Sequence, residues 1–476
     1  MKLPANKTKI VCTIGPASDS LETMEALLRA GMNIARLNFS HGDFATHERI
    51  IEQLREAANR TGRRLAIMAD LPGPKMRIGE LADEPVELQI GDRLILTTDE
   101  IIGDRQRVSV SLKELPRIVK TEDKLFLNDG LISLKVESIR NNEVHCEVRA
   151  GGELLSRKGL NLPGIDLGFS AFTEHDRECL AFALQHGVDA VSQSFVSRAE
   201  DIEALLAAAD ELGRRPFVIA KIERSDAIHN IDGILQVVDG LMVARGDLGV
   251  EIPISRMAVV QKQLMSKANR LGKPVITATQ MLESMTTHRR PTRAEATDVA
   301  NAILDGTDAV MLSAESAMGR YPVESTEMLA QIARETEPSR ELAVKEQRMR
   351  RDSRFATVDL IAHCVQQAVN NLEPIAVLVP TRSGATARNI TRYRLPSWIT
   401  AFSTEQSTCQ ALQFSYGVHP VHVSEEYADW GPFCCQWMHD QGLVAGVAVL
   451  TQGPSPENPH ASHSMVIADL ACQVKR

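Results

Sequence analysis

Short apolar runs alternating with helix-period segments predict an α/β protein. Its expected core is a (β/α)8 TIM barrel, with a small β-barrel domain inserted as a lid and an α/β domain at the C-terminal end. Three observations carry this expectation. Eight apolar runs each end in polar or charged residues, the alternation breaks between about residues 72 and 167, and it resumes from about residue 355 after a charged connector. The expected boundaries are 1–71 and 168–340 for the barrel, 72–167 for the insertion and 341–476 for the last domain. A chain of 476 residues is too long for one core and fits roughly two to four domains.

The barrel runs are Ile10–Gly15, Asn33–Phe39, Leu65–Leu71, Asp189–Phe195, Phe217–Glu223, Gly240–Gly246, Pro274–Gln280 and Ala309–Glu315. Between them apolar residues recur three or four apart: Ile50, Leu54 and Ala57 before Gly62, then within Thr173–His186 and Glu200–Leu212, then from Ile254 to Leu271 before Gly272. That period is helical, and the glycines mark the stops. Strands alternating with helices pair in parallel through right-handed crossovers. The insertion reads as strands Val86–Ile90, Arg93–Thr97, Arg107–Val110, Lys124–Leu127, Ile132–Ile139 and Glu143–Val148, separated by turn signals such as Asn128-Asp129-Gly130. Loops at the carboxyl end of a barrel carry function, so this domain is expected to act as a lid. Ser339–Arg354 reads as a connector. Beyond it come helix Val358–Asn371, strand Ile375–Val379, helix Ala385–Arg392, strand Trp398–Phe402, helix Gln406–Phe414, strand Val418–Val423, helix Glu425–Gln441 and strands Val444–Leu450 and Ser464–Ala468.

Composition narrows the function. The chain is 43% hydrophobic and 24% charged, as in a folded soluble protein, and its net charge of −9 argues against a general nucleic-acid binder. An anionic substrate must then be held by local cations against the overall field. The opening segment has no apolar core for export, and no apolar run is long enough to span a bilayer, so a cytoplasmic protein with no membrane partner is expected. The eight cysteines lack C-x-x-C spacing and read as isolated thiols.

The polar clusters at the run ends hold Arg36, Asn38, Ser40, Asp70, Ser194, Lys221, Glu223, Arg245, Asp247, Thr279, Ser313 and Glu315. A barrel presents its active site at that end. Several cations beside several carboxylates suit a phosphorylated substrate and a divalent metal. Lys221 and Glu223 are two apart on one strand and face the same way, which alone reads as a local salt bridge. Asp247 at the end of the next strand adds a second carboxylate, and two carboxylates suit Mg²⁺, which keeps water and substrate oxygens in its shell. Lys221 is then a point charge for a developing oxyanion. Arg36 is a plausible phosphate fork, or an ordinary strand-end arginine. His41 and His47 fit no common metal-ligand spacing. Asp70–Gly79 and Ser156–Gly164 are the two hinges, from which Lys75, Arg77 and Lys158 overhang the mouth, unless they are merely solvated. Thr292 and Glu295 fit a capping box and read as structural.

Several of these segments together resemble the pyruvate kinase family: Thr8–Ser18, Arg36-Leu-Asn-Phe-Ser-His-Gly42, Lys221-Ile-Glu223, Met242–Gly249, Ala278–Ser284 and Met311-Leu-Ser-Ala-Glu315. The resemblance runs to about Pro322 and is looser beyond. It implies a lid in the third β/α loop, a regulatory C-terminal domain, homotetramers, and phosphoryl transfer from phosphoenolpyruvate to ADP, giving pyruvate and ATP in glycolysis. By position it implies that Glu223 and Asp247 hold Mg²⁺, or Mn²⁺ in its stead. Lys221 would stabilise the moving phosphoryl group and the enolate, and Arg36 would bridge phosphates. The backbone of Ala244, Arg245, Gly246 and Asp247 and the Thr279 hydroxyl would take the substrate carboxylate, while Ser194 and Phe195 would seat its phosphate. Asn38, His41, Arg77 and Lys158 would meet the nucleotide. Thr279, Ser313 and Glu315 would form the relay that protonates the enolate.

Two departures are informative. The monovalent-cation site of potassium-dependent members falls at Asn38, Ser40, Asp70 and Leu71. Those members, however, carry Glu at the position of Lys75, and Thr and Lys at those of Leu71 and Pro72. A lysine ammonium can replace the cation's charge, so K⁺ is expected not to be required. In the last domain Thr381-Arg-Ser-Gly-Ala-Thr386 is a hydroxyl-rich strand-to-helix turn that can cradle a phosphate. The facing loop Thr451–His463 has no Arg or Lys, which favours a sugar monophosphate or AMP over a bisphosphate as the phosphorylated effector. The competing readings are an aldolase or lyase handling phosphoenolpyruvate or pyruvate on the same barrel, and a metabolite sensor without turnover.

Overall fold

The computed structural model describes residues 3–74, 76–340, 357–453 and 463–469. Lys75, Cys472 and most of the loop Thr451–His463 lie outside the described residues. The barrel strands begin with β1 (Lys9–Thr13), β2 (Ile34–Asn38) and β3 (Ala66–Leu71). The insertion follows as β4 (Val86–Leu88), β5 (Arg93–Thr97), β6 (Arg107–Ser109), β7 (Lys124–Leu127), β8 (Ile132–Arg140), β9 (Glu143–Ala150), β10 (Gly152–Leu154) and β11 (Leu160–Asn161). The barrel resumes with β12 (Ala190–Gln193), β13 (Phe217–Ile222), β14 (Gly240–Ala244), β15 (Val275–Ala278) and β16 (Ala309–Leu312). All eight barrel strands are parallel and close in the order β1-β16-β15-β14-β13-β12-β3-β2. Seven of the expected runs each contain one of them, and Ile10–Gly15 overlaps β1, which starts one residue earlier at Lys9.

The helices between the strands start and stop as their side chains dictate. Asp43 caps Phe44–Thr61, which ends at left-handed Gly62. Thr173 and Asp176 form a reciprocal capping box on Glu174–Gln185, as do Thr292 and Glu295 on Arg293–Asp305. Inside the barrel Ile34, Met68, Ile219, Met242 and Ile276 fill the core, and Phe414 of the last domain closes its floor by stacking on Phe217 at 5.1 Å.

The insertion forms a six-stranded sheet, β11-β7-β8-β9-β5-β6, and a two-stranded ribbon, β10-β4, around one apolar core. The ribbon strand β10, the two-residue β11 and the single-turn helix Leu115–Ile118 were not expected from sequence, because each is too short to show a period. Arg77 pairs with Gly159 in an antiparallel bridge, so the two hinges run side by side.

The last domain has strands β17 (Ala376–Pro380), β18 (Ile399–Ser403), β19 (Val418–His422), β20 (Val447–Gln452) and β21 (Ser464–Asp469) in the order β19-β18-β17-β20-β21, with β21 antiparallel. The helix expected to begin at Glu425 begins at Trp430, where Asp429 caps it. Gly446, at φ +116°, delays β20 to Val447. This domain is fastened to the barrel floor by buried polar contacts. Arg394 pairs with Asp308, donating to its Oδ2 at 2.6 Å, and also donates to the Gly306 carbonyl at 2.6 Å; Lys9 donates to the Val418 carbonyl at 2.7 Å. Among the described residues no helix is long and apolar enough to cross a membrane, and the seven described cysteines are free. Burial pushes the thiols of Cys12, Cys146 and Cys434 up to about 12, which keeps them unreactive near neutrality.

Candidate active site

At the carboxyl ends of β2, β3, β12 and β13 the chain gathers one ammonium, one guanidinium and two carboxylates. Lys221, on β13 and 8% exposed, donates from Nζ to Ser194 Oγ at 2.7 Å; the same nitrogen lies 2.9 Å from Glu223 Oε1 and 3.2 Å from Asp70 Oδ2. Arg36, on β2, donates to Asp70 Oδ2 from Nε at 3.0 Å and Nη2 at 2.5 Å, and to Thr13 Oγ1 from Nη1 at 3.0 Å. Ser192 donates to the other Asp70 oxygen at 2.6 Å. Asp70 is thus the hub that holds both cations in the mouth. Burial alone would raise its carboxyl, but Lys221 and Arg36 outweigh it and hold the group below the usual carboxylate range. Burial likewise opposes the Lys221 ammonium, yet Asp70 and Glu223 outweigh it, so Lys221 stays protonated beyond the ordinary lysine range.

Glu223 is buried and accepts at Oε2 from the Phe195 amide at 2.8 Å. Phe195 has φ +59°, a strained conformation for an aromatic residue, and this conformation accompanies the amide's bond to the carboxylate. Asp247 lies in the first turn of the helix Arg245–Glu251. Burial and then the charge of Glu223 push its carboxyl up to about 7; Lys221 offsets part of this, and Asp129 of the inserted domain adds to it. A carboxylate whose ionisation is opposed by a second carboxylate beside it fits a hard divalent cation. Among the described residues no group of three or more His, Cys, Asp or Glu is arranged to hold a metal.

A second cluster lies where β14 and β15 end. Thr279 and Gln280 are consecutive non-glycine residues at φ +66° and +52°. Arg245 braces this turn: Nε donates to the Ala278 carbonyl at 3.3 Å, Nη2 to the Thr279 carbonyl at 2.8 Å, and Nη1 pairs with Asp298 at 2.5 Å. The side chain of Arg245 is therefore committed to the turn, and its backbone is what faces the helix start. Thr279 Oγ1 accepts from the Gly246 amide at 2.8 Å, which joins two of the expected carboxylate-binding groups. Buried Glu315 accepts from the amides of Leu282 at 3.0 Å and Ser313 at 2.7 Å, fixing the loops after β15 and β16.

Asn38 accepts the Ser40 amide at 3.1 Å and stands opposite Asp70 in the β2–β3 register, with buried Leu71 next in β3. The His41 carbonyl is bonded to His47 Nε2 at 2.9 Å. Arg77 is exposed on the hinge, its Nη1 donating to the Arg157 carbonyl at 3.2 Å, and Lys158 lies in the adjoining hinge, its carbonyl accepting the Ile78 amide at 3.0 Å. The turn at Gly130 of the inserted domain rests on the barrel, since a Cβ there would lie 3.2 Å from the Val250 methyls. In the last domain the Thr381 hydroxyl accepts the Gly384 amide at 3.0 Å, and Thr408 donates to the Arg382 carbonyl at 2.5 Å, so the turn Thr381–Thr386 is a shaped cradle. Sequence reasoning missed Thr13 and Ser192. Ser192 follows from the alternation rule it used, sharing a face with Ser194, whereas Thr13 ends β1 two residues short of the end of its expected run.

A TIM barrel whose mouth assembles a buried ammonium, a phosphate-type guanidinium and paired carboxylates belongs with enzymes that handle phosphorylated anions. The family model described as "Pyruvate kinase, barrel domain" matches residues 5–326, and "Pyruvate kinase, alpha/beta domain" matches residues 359–468. The chain is 49% identical over 431 residues to a pyruvate kinase of Thermococcus litoralis, covering 90% of this chain and 91% of the relative. It is 46% identical over 433 residues to one of Geobacillus stearothermophilus (89% and 73% covered) and 41% over 423 residues to one of Clostridium acetobutylicum (88% and 89% covered). The chain belongs to the pyruvate kinase family and is a phosphotransferase. Nothing in these similarities favours the lyase or the sensor reading.

Proposed function

We propose that the chain transfers the phosphoryl group of phosphoenolpyruvate to ADP, yielding pyruvate and ATP in glycolysis in the cytoplasm. The observation that carries this reading is the Lys221 ammonium held among Ser194, Glu223 and Asp70 at 2.7, 2.9 and 3.2 Å. Glu223 and Asp247 hold Mg²⁺, or Mn²⁺ in its stead. When bound, the divalent ion neutralises charge on the phosphoryl and carboxylate oxygens of the substrate. Lys221 and Arg36 follow the phosphoryl charge as it leaves the enolate oxygen, and Ser194 with the Phe195 backbone seats it. The amides of the 244–247 segment and Thr279 orient the substrate carboxylate. Thr279 and Ser313, in loops fixed by Glu315, stand in the path of the proton that completes pyruvate. Arg77 and Lys158, carried by paired hinges, bring the lid to the nucleotide beside Asn38 and His41.

Lys75 supplies the charge that a monovalent cation provides elsewhere in the family, at the site of Asn38, Ser40, Asp70 and Leu71, so activity needs no K⁺. The cradle of Thr381, Arg382, Ser383, Gly384, Ala385 and Thr386 takes a sugar monophosphate or AMP, and activation curves with these and with a bisphosphate distinguish them. A homotetramer follows from the family. Assaying products of phosphoenolpyruvate with Mg²⁺ tests the main reading. Pyruvate and ATP in equal amounts, and only with ADP present, are expected, whereas pyruvate released without ADP would revive the lyase reading.

A further inference from the structure

We propose that Arg224 is a positioning residue that ties the pivot of the lid to the strand end bearing Lys221 and Glu223, so that lid closure and the placement of the phosphoryl-transfer groups move together. The proposal rests on the reading of the insertion as a lid that closes on nucleotide.

Arg224 follows Glu223 just beyond β13, and its side chain is 3% exposed, rare for an arginine. It turns into the return hinge of the lid. Nη2 donates to the Ile165 carbonyl at 2.7 Å and to Asp226 Oδ2 at 2.9 Å. Nε and Nη1 are buried with no hydrogen-bond partner among the described residues. Bare buried donors are costly. A guanidinium that grips a hinge carbonyl with one nitrogen and keeps two in reserve is suited to following that hinge through more than one position.

The outgoing hinge is held separately. Buried Asp176 accepts the Gly73 amide at 2.9 Å while capping the helix Glu174–Gln185. Gly73 presses on Phe195 so closely that a Cβ there would lie 2.9 Å from its ring. The Phe195 ring also packs on the apolar core of the lid, and its amide bonds Glu223. Glu223 therefore has a lid contact on each side, Phe195 through its amide and Arg224 through the next peptide. The helix bearing Asp247 closes the ring of contacts. Val250 meets the lid turn at Gly130, and Glu251 accepts from the amide and hydroxyl of Ser225, the residue after Arg224, at 3.2 and 3.3 Å.

The test compares wild type with Arg224→Met, which keeps an apolar stem and removes every donor, and Arg224→Lys, which restores one charged donor. The readouts are kcat, KM for each substrate, and the rate of tryptic cleavage at the hinge residues Arg157 and Lys158 with and without MgADP. Wild type is expected to be protected by MgADP. Arg224→Met is expected to lose that protection, with KM for ADP raised at least about fivefold and KM for phosphoenolpyruvate within about twofold. Arg224→Lys is expected to regain protection, with KM for ADP raised only about twofold. Protection and KM for ADP at wild-type values in Arg224→Met overturn the proposal, and so does an equal rise in both KM values with protection intact, the mark of a general packing defect. Should Arg224→Met not fold, Arg224→Gln, which removes the charge and shortens the reach, takes its place with the same expectations, and protection and KM for ADP at wild-type values in it overturn the proposal. Absence of MgADP protection in wild type overturns the lid reading, and the proposal falls with it.

Discussion

Replacing Lys221 with methionine removes a charge while keeping an unbranched stem of similar length. Three contacts go: Ser194 at 2.7 Å, Glu223 at 2.9 Å and Asp70 at 3.2 Å. Neither carboxylate is stranded, because Asp70 keeps Arg36 at 2.5 and 3.0 Å and Ser192 at 2.6 Å, and Glu223 keeps the Phe195 amide at 2.8 Å. The stability loss therefore belongs at or below the lower end of the roughly 3–5 kcal/mol that follows removal of one partner from a buried pair. The catalytic loss is of a different kind. No other ammonium touches this cluster among the described residues, so the developing oxyanion loses its point charge, and kcat should fall by about 10²–10³-fold. Removing a cation beside Glu223 and Asp247 should also tighten Mg²⁺ binding. A coupled assay of pyruvate formation and calorimetric titration with Mg²⁺ measure the two effects. Turnover within about tenfold of wild type would refute the role given to Lys221. A parallel loss of turnover and Mg²⁺ affinity would instead show that the substitution had damaged the metal carboxylates.

Further outcomes are expected at four residues. Burial and Glu223 raise the Asp247 carboxyl to about 7, so below that pH a proton competes with the metal for its lone pairs. Mg²⁺ affinity should therefore weaken by up to about tenfold per pH unit below 7, and a flat profile in titrations between pH 5 and 8 would contradict this. The folded-state value lies above the unfolded one, so the metal-free protein should lose this group's contribution to stability as pH rises from about 4 through 7; saturating Mg²⁺ should reverse that loss, as thermal melts at several pH values would show. Thr279→Val removes the acceptor of the Gly246 amide, and kcat should drop by about 10²-fold, with Thr279→Ser retaining most activity. Lys75→Glu should create a K⁺ requirement, whereas wild type is expected to work in K⁺-free buffer, both read directly from rates with and without the ion. Arg394→Met leaves Asp308 short of a cation at the barrel floor and should weaken the attachment of the last domain by about 3–5 kcal/mol, seen in denaturant unfolding and in proteolysis of the interdomain connector.

The barrel was legible because each strand is a buried apolar run bounded by glycine stops and side-chain caps, all local signals. Lys221, Glu223, Asp70 and Arg36 were legible because they sit at the ends of such runs. What escaped was set by distance along the chain. Arg224 bonds Ile165 across 59 positions and Asp176 bonds Gly73 across 103, and no local pattern marks either pair. The left-handed pair Thr279 and Gln280 escaped for another reason. Such a turn ordinarily contains glycine or asparagine, and here Arg245 braces its carbonyls instead. The direction of the Arg245 side chain was hidden for the same reason. The helix Leu115–Ile118 and the strands β10 and β11 are shorter than one pattern repeat.

The account turns on a single arrangement, in which Lys221 and a Mg²⁺ held by Glu223 and Asp247 flank one phosphoryl group. A crystal structure with Mg²⁺ and phosphoenolpyruvate measures it most directly. The metal should sit between the two carboxylates, with a phosphoryl oxygen about 3 Å from Lys221 Nζ. A metal bound elsewhere, or a phosphoryl group out of reach of that ammonium, would contradict the account.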